Sequence, residues 1–126
     1  MSKAQIVSIV DDDPSVRAAM EDLVAALGFS AHGFECAEDF LNSPDVSEAA
    51  CLISDVQMAG MKGYELQQEL LAQGYRKPMI FVTAYPDGSI RRRIEAAGAF
   101  AFLEKPFDGE RLVNCLLKAL SQDNPQ

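Results

Sequence analysis

Cysteine is scarce in this sequence. Cys36, Cys51 and Cys115 are the three present, an odd number at long spacings with no CxxC pair. That pattern argues against a disulfide framework or a zinc site, and reduced thiols are the simpler reading. Cys51 and Cys115 fall in apolar runs, where cysteine serves as a small core residue. Basic charge is also short: 11 Lys and Arg stand against 19 Asp and Glu, a formal net charge of -8. Nucleic acid is a polyanion, so direct nucleic-acid binding is not expected of so acidic a domain. No apolar stretch approaches the ~20 residues of a membrane helix. Residues 1–5 lead straight into a strand-like run with no signal-peptide pattern. A cytoplasmic location is the expectation.

What is there reads as one globular domain. The chain has 126 residues, 48% hydrophobic and 24% charged, long enough for one core and too short for two. Apolar runs alternate with amphipathic segments. Ile6 to Val10 is a short β-branched run. Asp13 and Pro14 then open a helix as N-cap and first helical residue, and Gly28 ends it. Residues 29–34 form a weaker strand and 37–41 a short helix. Cys51 to Ser54 is a buried strand ending on Asp55. A helix runs from about 63 to 73, a strand over 79–83, and a helix capped by Asp87 follows. Residues 99–103 make the fifth strand, and a last helix carries Leu112, Leu116 and Leu120 on one stripe. Five continuous apolar strands alternating with five helices predict a parallel sheet covered on both faces. The expected fold is a flavodoxin-like doubly wound α/β domain of strand order 2-1-3-4-5. The domain is expected over 1–121, with 122–126 a frayed tail or truncated linker.

The polar residues at strand ends carry the chemistry. Asp11 and Asp12 follow the first strand, Asp55 the third, Thr83 closes the fourth, and Lys105 follows the fifth. In an open α/β sheet the carboxyl ends of the strands form the ligand crevice, here between strands one and three. Asp55, about 40 positions from the acidic pair, should therefore converge with it. Three carboxylates cannot share a crevice ionised unless a cation neutralises them. Hard oxygen ligands suit Mg²⁺. Lys105 adds a point charge and Thr83 a hydroxyl. One acceptor carboxylate, a metal, a lysine and a hydroxyl fit phosphoryl transfer, where catalysis is positioning and charge neutralisation. A single strand-end Asp is most often a turn or cap residue, as Asp13 is. The joint pattern is what departs from that reading.

The stretches IVDDDPSVR, LISDVQMAGMKGYEL, IFVTAY and FLEKPF resemble the receiver domain of two-component response regulators, over nearly the whole chain. The wording around GFECAEDFL and FLEKPF is similar to the nitrogen-fixation regulator subfamily. The resemblance implies that Asp55 is the phosphoacceptor. It implies Asp11 and Asp12 as metal ligands with Asp55 and the backbone carbonyl of Gln57, Asp12 being the more direct. It implies Thr83 as the switch hydroxyl, Phe102 as the switch aromatic, and Lys105 as the catalytic lysine. Pro106 would follow a cis peptide that aims Lys105 into the crevice. Two departures stand out. The family's usual Met-Pro-Gly is here Met58-Ala59-Gly60, which should leave that loop looser. Tyr85, two positions past Thr83, is large, and screening Asp55 from water or partners is a role open to it.

The function so implied is a signalling switch. Asp55 takes a phosphoryl group with Mg²⁺, and the surface of the fourth helix, fifth strand and fifth helix changes. The donor is a partner histidine kinase or phosphotransfer protein, since His32 is the only histidine and lies away from the catalytic end. The chain would catalyse only its own phosphorylation and dephosphorylation. Arg91, Arg92 and Arg93 on the fourth helix read as a solvated basic face or a partner surface, including that of a phosphorylation-dependent homodimer. Two other readings remain. One is a receiver-like interaction module that takes no phosphate. The other is a haloacid-dehalogenase-type phosphatase, which Asp11-x-Asp13 resembles, although the paired acidic motif near its end is missing. No helix-turn-helix follows the receiver. A stand-alone relay and a piece of a longer transcription regulator are both open.

Overall fold

The computed structural model describes residues 4–85 and 87–122. Five strands, β1 (Ile6–Val10), β2 (Ser30–Phe34), β3 (Cys51–Asp55), β4 (Met79–Thr83) and β5 (Ala101–Glu104), pair in parallel in the order β2-β1-β3-β4-β5. That is the doubly wound, flavodoxin-like order expected from the alternation. The helices are α1 (Pro14–Ala26), α2 (Ala37–Leu41), α3 (Asp45–Glu48), α4 (Gly63–Ala72), α5 (Gly88–Ala96) and α6 (Gly109–Gln122). The count of five expected from sequence is therefore corrected to six. α3 is a single turn of four residues, too short to show helical periodicity. Of the expected tail, Gln122 closes α6, and 123–126 lie outside the described residues.

Strand side chains alternate between faces, and the two cores follow that alternation. Val7, Ile9, Ile53, Ile80, Val82 and Leu103 pack with Met20 and Val24 of α1 and Leu112 and Leu116 of α6. Val10, Leu52, Phe81 and Phe102 pack with Phe40 of α2, Leu66 and Leu70 of α4, and Ile94 of α5. The inner strands β1, β3 and β4 therefore bury apolar residues on both faces, which is why their runs read as continuous, whereas β2 at the edge is partly exposed.

The helix starts are set locally. The Asp13 carboxylate accepts hydrogen bonds from the backbone N–H groups of Ser15 (2.9 Å) and Val16 (3.3 Å). Asp87 does the same for Ser89 and Ile90 at α5. At the other end of α1, Gly28 takes φ +94°, which an L side chain rarely adopts. α4 starts hard against the sheet. A Cβ on Gly63 would lie 2.5 Å from the Asp55 carbonyl oxygen and 2.8 Å from Val56 Cα. Glycine at 63 lets α4 begin directly beside the end of β3. Among the described residues no helix is long and apolar enough to cross a membrane.

Candidate functional site

Register brings the polar strand ends together. Val10 pairs with Ser54, so the next residues, Asp11 and Asp55, stand level at the ends of β1 and β3. One carboxylate oxygen from each of Asp11, Asp12 and Asp55 lies within 4.8 Å of the other two. Asp11 is fully buried and Asp55 nearly so, whereas Asp12 is exposed. Lys105 reaches in from the end of the edge strand β5. Its Nζ donates to Asp11 Oδ2 at 3.0 Å and lies 3.6 Å from Asp55 Oδ2. The Lys105–Pro106 peptide bond is cis.

The electrostatics of Asp55 follow from this crowding. Burial pushes its carboxyl up, and the neighbouring Asp11 charge pushes it further. Lys105 and the backbone N–H groups of Gln57 and Val56 pull it back, and it settles at about 6. Among the described residues Lys105 is the one cation paired with these three carboxylates, which leaves the cluster short of positive charge. Closely grouped hard oxygens with that deficit are the donor set a divalent cation such as Mg²⁺ takes. The residues present fit such an ion.

Three hydrogen bonds hold the loop between β3 and α4. The Ala59 N–H donates to Asp12 Oδ2 (3.1 Å), Lys62 Nζ donates to the Met58 carbonyl (2.6 Å), and the Gly63 N–H donates to the Val56 carbonyl (2.9 Å). The first of these bonds needs an N–H that proline lacks. Gln57 is half-buried two positions past Asp55, and its backbone N–H favours the ionised Asp55 carboxylate.

Thr83 and Phe102 sit on the other face of the sheet. Residues 79, 81 and 83 share one side of β4, and Phe102 lies beside Phe81 in the register. The Thr83 hydroxyl is buried and engaged locally. It accepts from the Tyr85 N–H at 3.1 Å and lies 3.3 Å from the Tyr85 carbonyl. Tyr85 itself is 71% exposed. Phe102 is buried beneath the Arg91 guanidinium, which lies 5.2 Å from the ring centre.

The three arginines do different things. Arg91 also pairs with Glu95 (3.1 Å) and Glu104 (3.4 Å). Arg93 lies 4.9 Å over the Tyr64 ring of α4. Arg92 is exposed. Sequence reasoning missed a second polar cluster away from this crevice. Asp45 of α3 accepts from the Ser8 hydroxyl (2.8 Å) and holds His32 Nδ1 at 2.9 Å. His32 is thus tied to α3 rather than to the site.

A family model of the response regulator receiver domain matches residues 7–117. The chain belongs to this family. The transcriptional regulatory protein TdiR of Thauera aromatica is 35% identical over 118 residues, covering 94% of this chain and 52% of TdiR. The transcriptional regulatory protein FixJ of Bradyrhizobium diazoefficiens is 32% identical over 119 residues, covering 94% of the chain and 58% of FixJ. The chain spans about half the length of the curated relatives it matches. Among solved structures, the response regulator StyR superposes with a TM-score of 0.88 at 36% identity, covering 96% of this chain and 61% of that one. FixJ-N gives 0.86 at 29% identity, covering 99% and 100%. The relatives are a mixture of regulators, so the likeness to the nitrogen-fixation subfamily is one among several.

Proposed function

We propose that this receiver accepts a phosphoryl group on Asp55 in the presence of Mg²⁺, from a phosphohistidine on a partner kinase or phosphotransfer protein. The observation that carries the reading is the placing of Asp55. Its buried carboxylate has Asp11 and Asp12 oxygens within 4.8 Å and the Lys105 ammonium at 3.6 Å. Asp11, Asp12 and Asp55 would hold the ion, with the Gln57 carbonyl as the family resemblance implies. When bound, the ion supplies positive charge to the carboxylates and to the phosphoryl oxygens.

The chain's own residues do the rest. An ionised Asp55 oxygen attacks phosphorus; the O–P bond forms as the P–N bond to the donor imidazole breaks, and the imidazole leaves. Lys105, already between Asp11 and Asp55, neutralises the phosphoryl oxygens. The Thr83 hydroxyl exchanges the Tyr85 backbone for a phosphoryl oxygen. That exchange frees Tyr85 and the segment leading into α5, and so couples the crevice to the α5–β5–α6 surface. An apolar groove of about 630 Å³, lined by Val16, Met20, Leu23, Pro106 and Leu112, opens beside Lys105 and suits the apolar face of a partner helix. The chain performs only its own phosphorylation and dephosphorylation, in the cytoplasm, and its output passes to a partner or to a second copy.

Treatment with acetyl phosphate and Mg²⁺, read by intact mass, tests the reading. A gain of ~80 Da that disappears in Asp55→Asn is expected for one phosphoryl group. No gain, or a gain that survives Asp55→Asn, sinks it. A phosphate-independent interaction module would show that first outcome with partner binding intact.

A further inference from the structure

The three carboxylates of the cluster are held by different surroundings. Asp11 accepts from the Asp13 N–H two residues on (2.9 Å) and from Lys105 (3.0 Å). Asp55 has the Lys105 ammonium at 3.6 Å, and the backbone N–H groups of Gln57 and Val56 favour its ionised form. Both carboxylates are also buried. Asp12 is exposed, and among the described residues its one hydrogen bond comes from the Ala59 N–H at 3.1 Å, 47 positions away. That bond opposes the repulsion that drives an exposed carboxylate away from two buried ones. With it, Oδ2 is fixed on the loop and Oδ1 carries no hydrogen bond.

We infer that the backbone amide of Ala59 is the positioning group for Asp12 as a cation ligand. Through it, the loop between β3 and α4 is mechanically tied to the cation site. The inference rests on the Mg²⁺ reading above and adds a residue to it. Groups that orient a metal-ligating side chain without touching the metal alter affinity by about 10–100-fold when removed. Alanine at 59 is therefore read as a functional choice of backbone: its methyl group is exposed, and its N–H does the work.

The test compares Ala59→Pro, which removes the N–H, with Ala59→Gly, which keeps it, by calorimetric titration with Mg²⁺ of the whole chain without phosphate. Wild type and Ala59→Gly should bind within about twofold of each other, and Ala59→Pro about tenfold more weakly. An ester in place of the amide at position 59 removes the N–H without the proline ring and should match Ala59→Pro if ring strain plays no part. In an Asp12→Ala background the proline should have no further effect. Equal binding by wild type and the ester variant overturns the inference, as does a proline effect that persists without Asp12. A wild-type chain that takes up no Mg²⁺ overturns both this inference and the proposed function. A wild type that binds, with the ester variant unchanged, overturns this inference alone.

Discussion

Asp55 is a carboxyl that folding makes harder to ionise, and this has a measurable sign. Its value rises from 3.8 to about 6, first through burial and then through the Asp11 charge. The folded chain therefore holds this proton more tightly than the unfolded chain does. Its contribution to stability is intact below about 3.8 and is lost as pH rises through about 6. At about 1.4 kcal/mol per tenfold change in proton affinity, ionising Asp55 costs the metal-free fold about 3 kcal/mol. Asp55→Asn removes the charge, while Lys105 keeps Asp11 at 3.0 Å. In chelator, urea unfolding at pH 4 should find the two proteins within about 1 kcal/mol, and at pH 7 the variant more stable by about 2–3 kcal/mol. A stability difference that does not change with pH would show that Asp55 is not under this strain. This residue was legible in the sequence because a strand-end Asp joined four other strand-end groups. The Ala59 amide that holds Asp12 was not legible, because a backbone N–H looks alike in every residue except proline.

The elements that position the site were read from their caps and their apolar runs. Asp13 with Pro14, and Asp87, mark helix starts by chemistry the sequence displays. α3 escaped because its four residues owe their place to long-range partners. Asp45 is buried and joins α3 to the middle of β1 through Ser8 and to β2 through His32. His32 and Ser8 are paired across the two strands, so one carboxylate spans both. This predicts an asymmetry between two substitutions. Asp45→Ala leaves the fully buried Ser8 hydroxyl without its acceptor and should lower stability by about 1–3 kcal/mol. Asp45→Asn keeps an oxygen for Ser8 and should lower it by less than half as much. Urea denaturation of both variants checks this, and an Asp45→Ala protein as stable as wild type would remove Asp45 from this role. Phosphorylation of Asp55 should be unaffected, because the cluster lies away from the crevice.

Across the whole molecule the sheet separates two tasks. Asp55 and Lys105 share the strand parity of the residues under α1 and α6, while Thr83 and Phe102 share that of the residues under α4 and α5. A signal has to cross from one face to the other at the end of β4, where Thr83 holds the Tyr85 backbone. A parallel sheet covered on both faces was legible from the apolar alternation; the division of the site between the faces emerges from the strand parity. What covers the far face was not legible, because an arginine on a helix reads the same whether it meets solvent, a partner or a ring. Here Arg91 closes over Phe102 and is braced by Glu95 and Glu104. Such a contact on a half-exposed side chain is worth about 0.5–1 kcal/mol. Arg91→Ala should therefore lower stability by about 1 kcal/mol. It should also loosen Phe102, read as broadened or shifted ring resonances, while acetyl phosphate still labels Asp55 within about twofold of the wild-type rate. Arg92→Ala, at an exposed side chain without these contacts, should leave stability and the Phe102 resonances unchanged. If Arg91 instead served only as a partner contact, its loss would leave the isolated chain's stability and the Phe102 resonances untouched and would weaken partner binding alone. The two roles separate in one pair of variants, because only a clamp on the ring acts in the isolated chain.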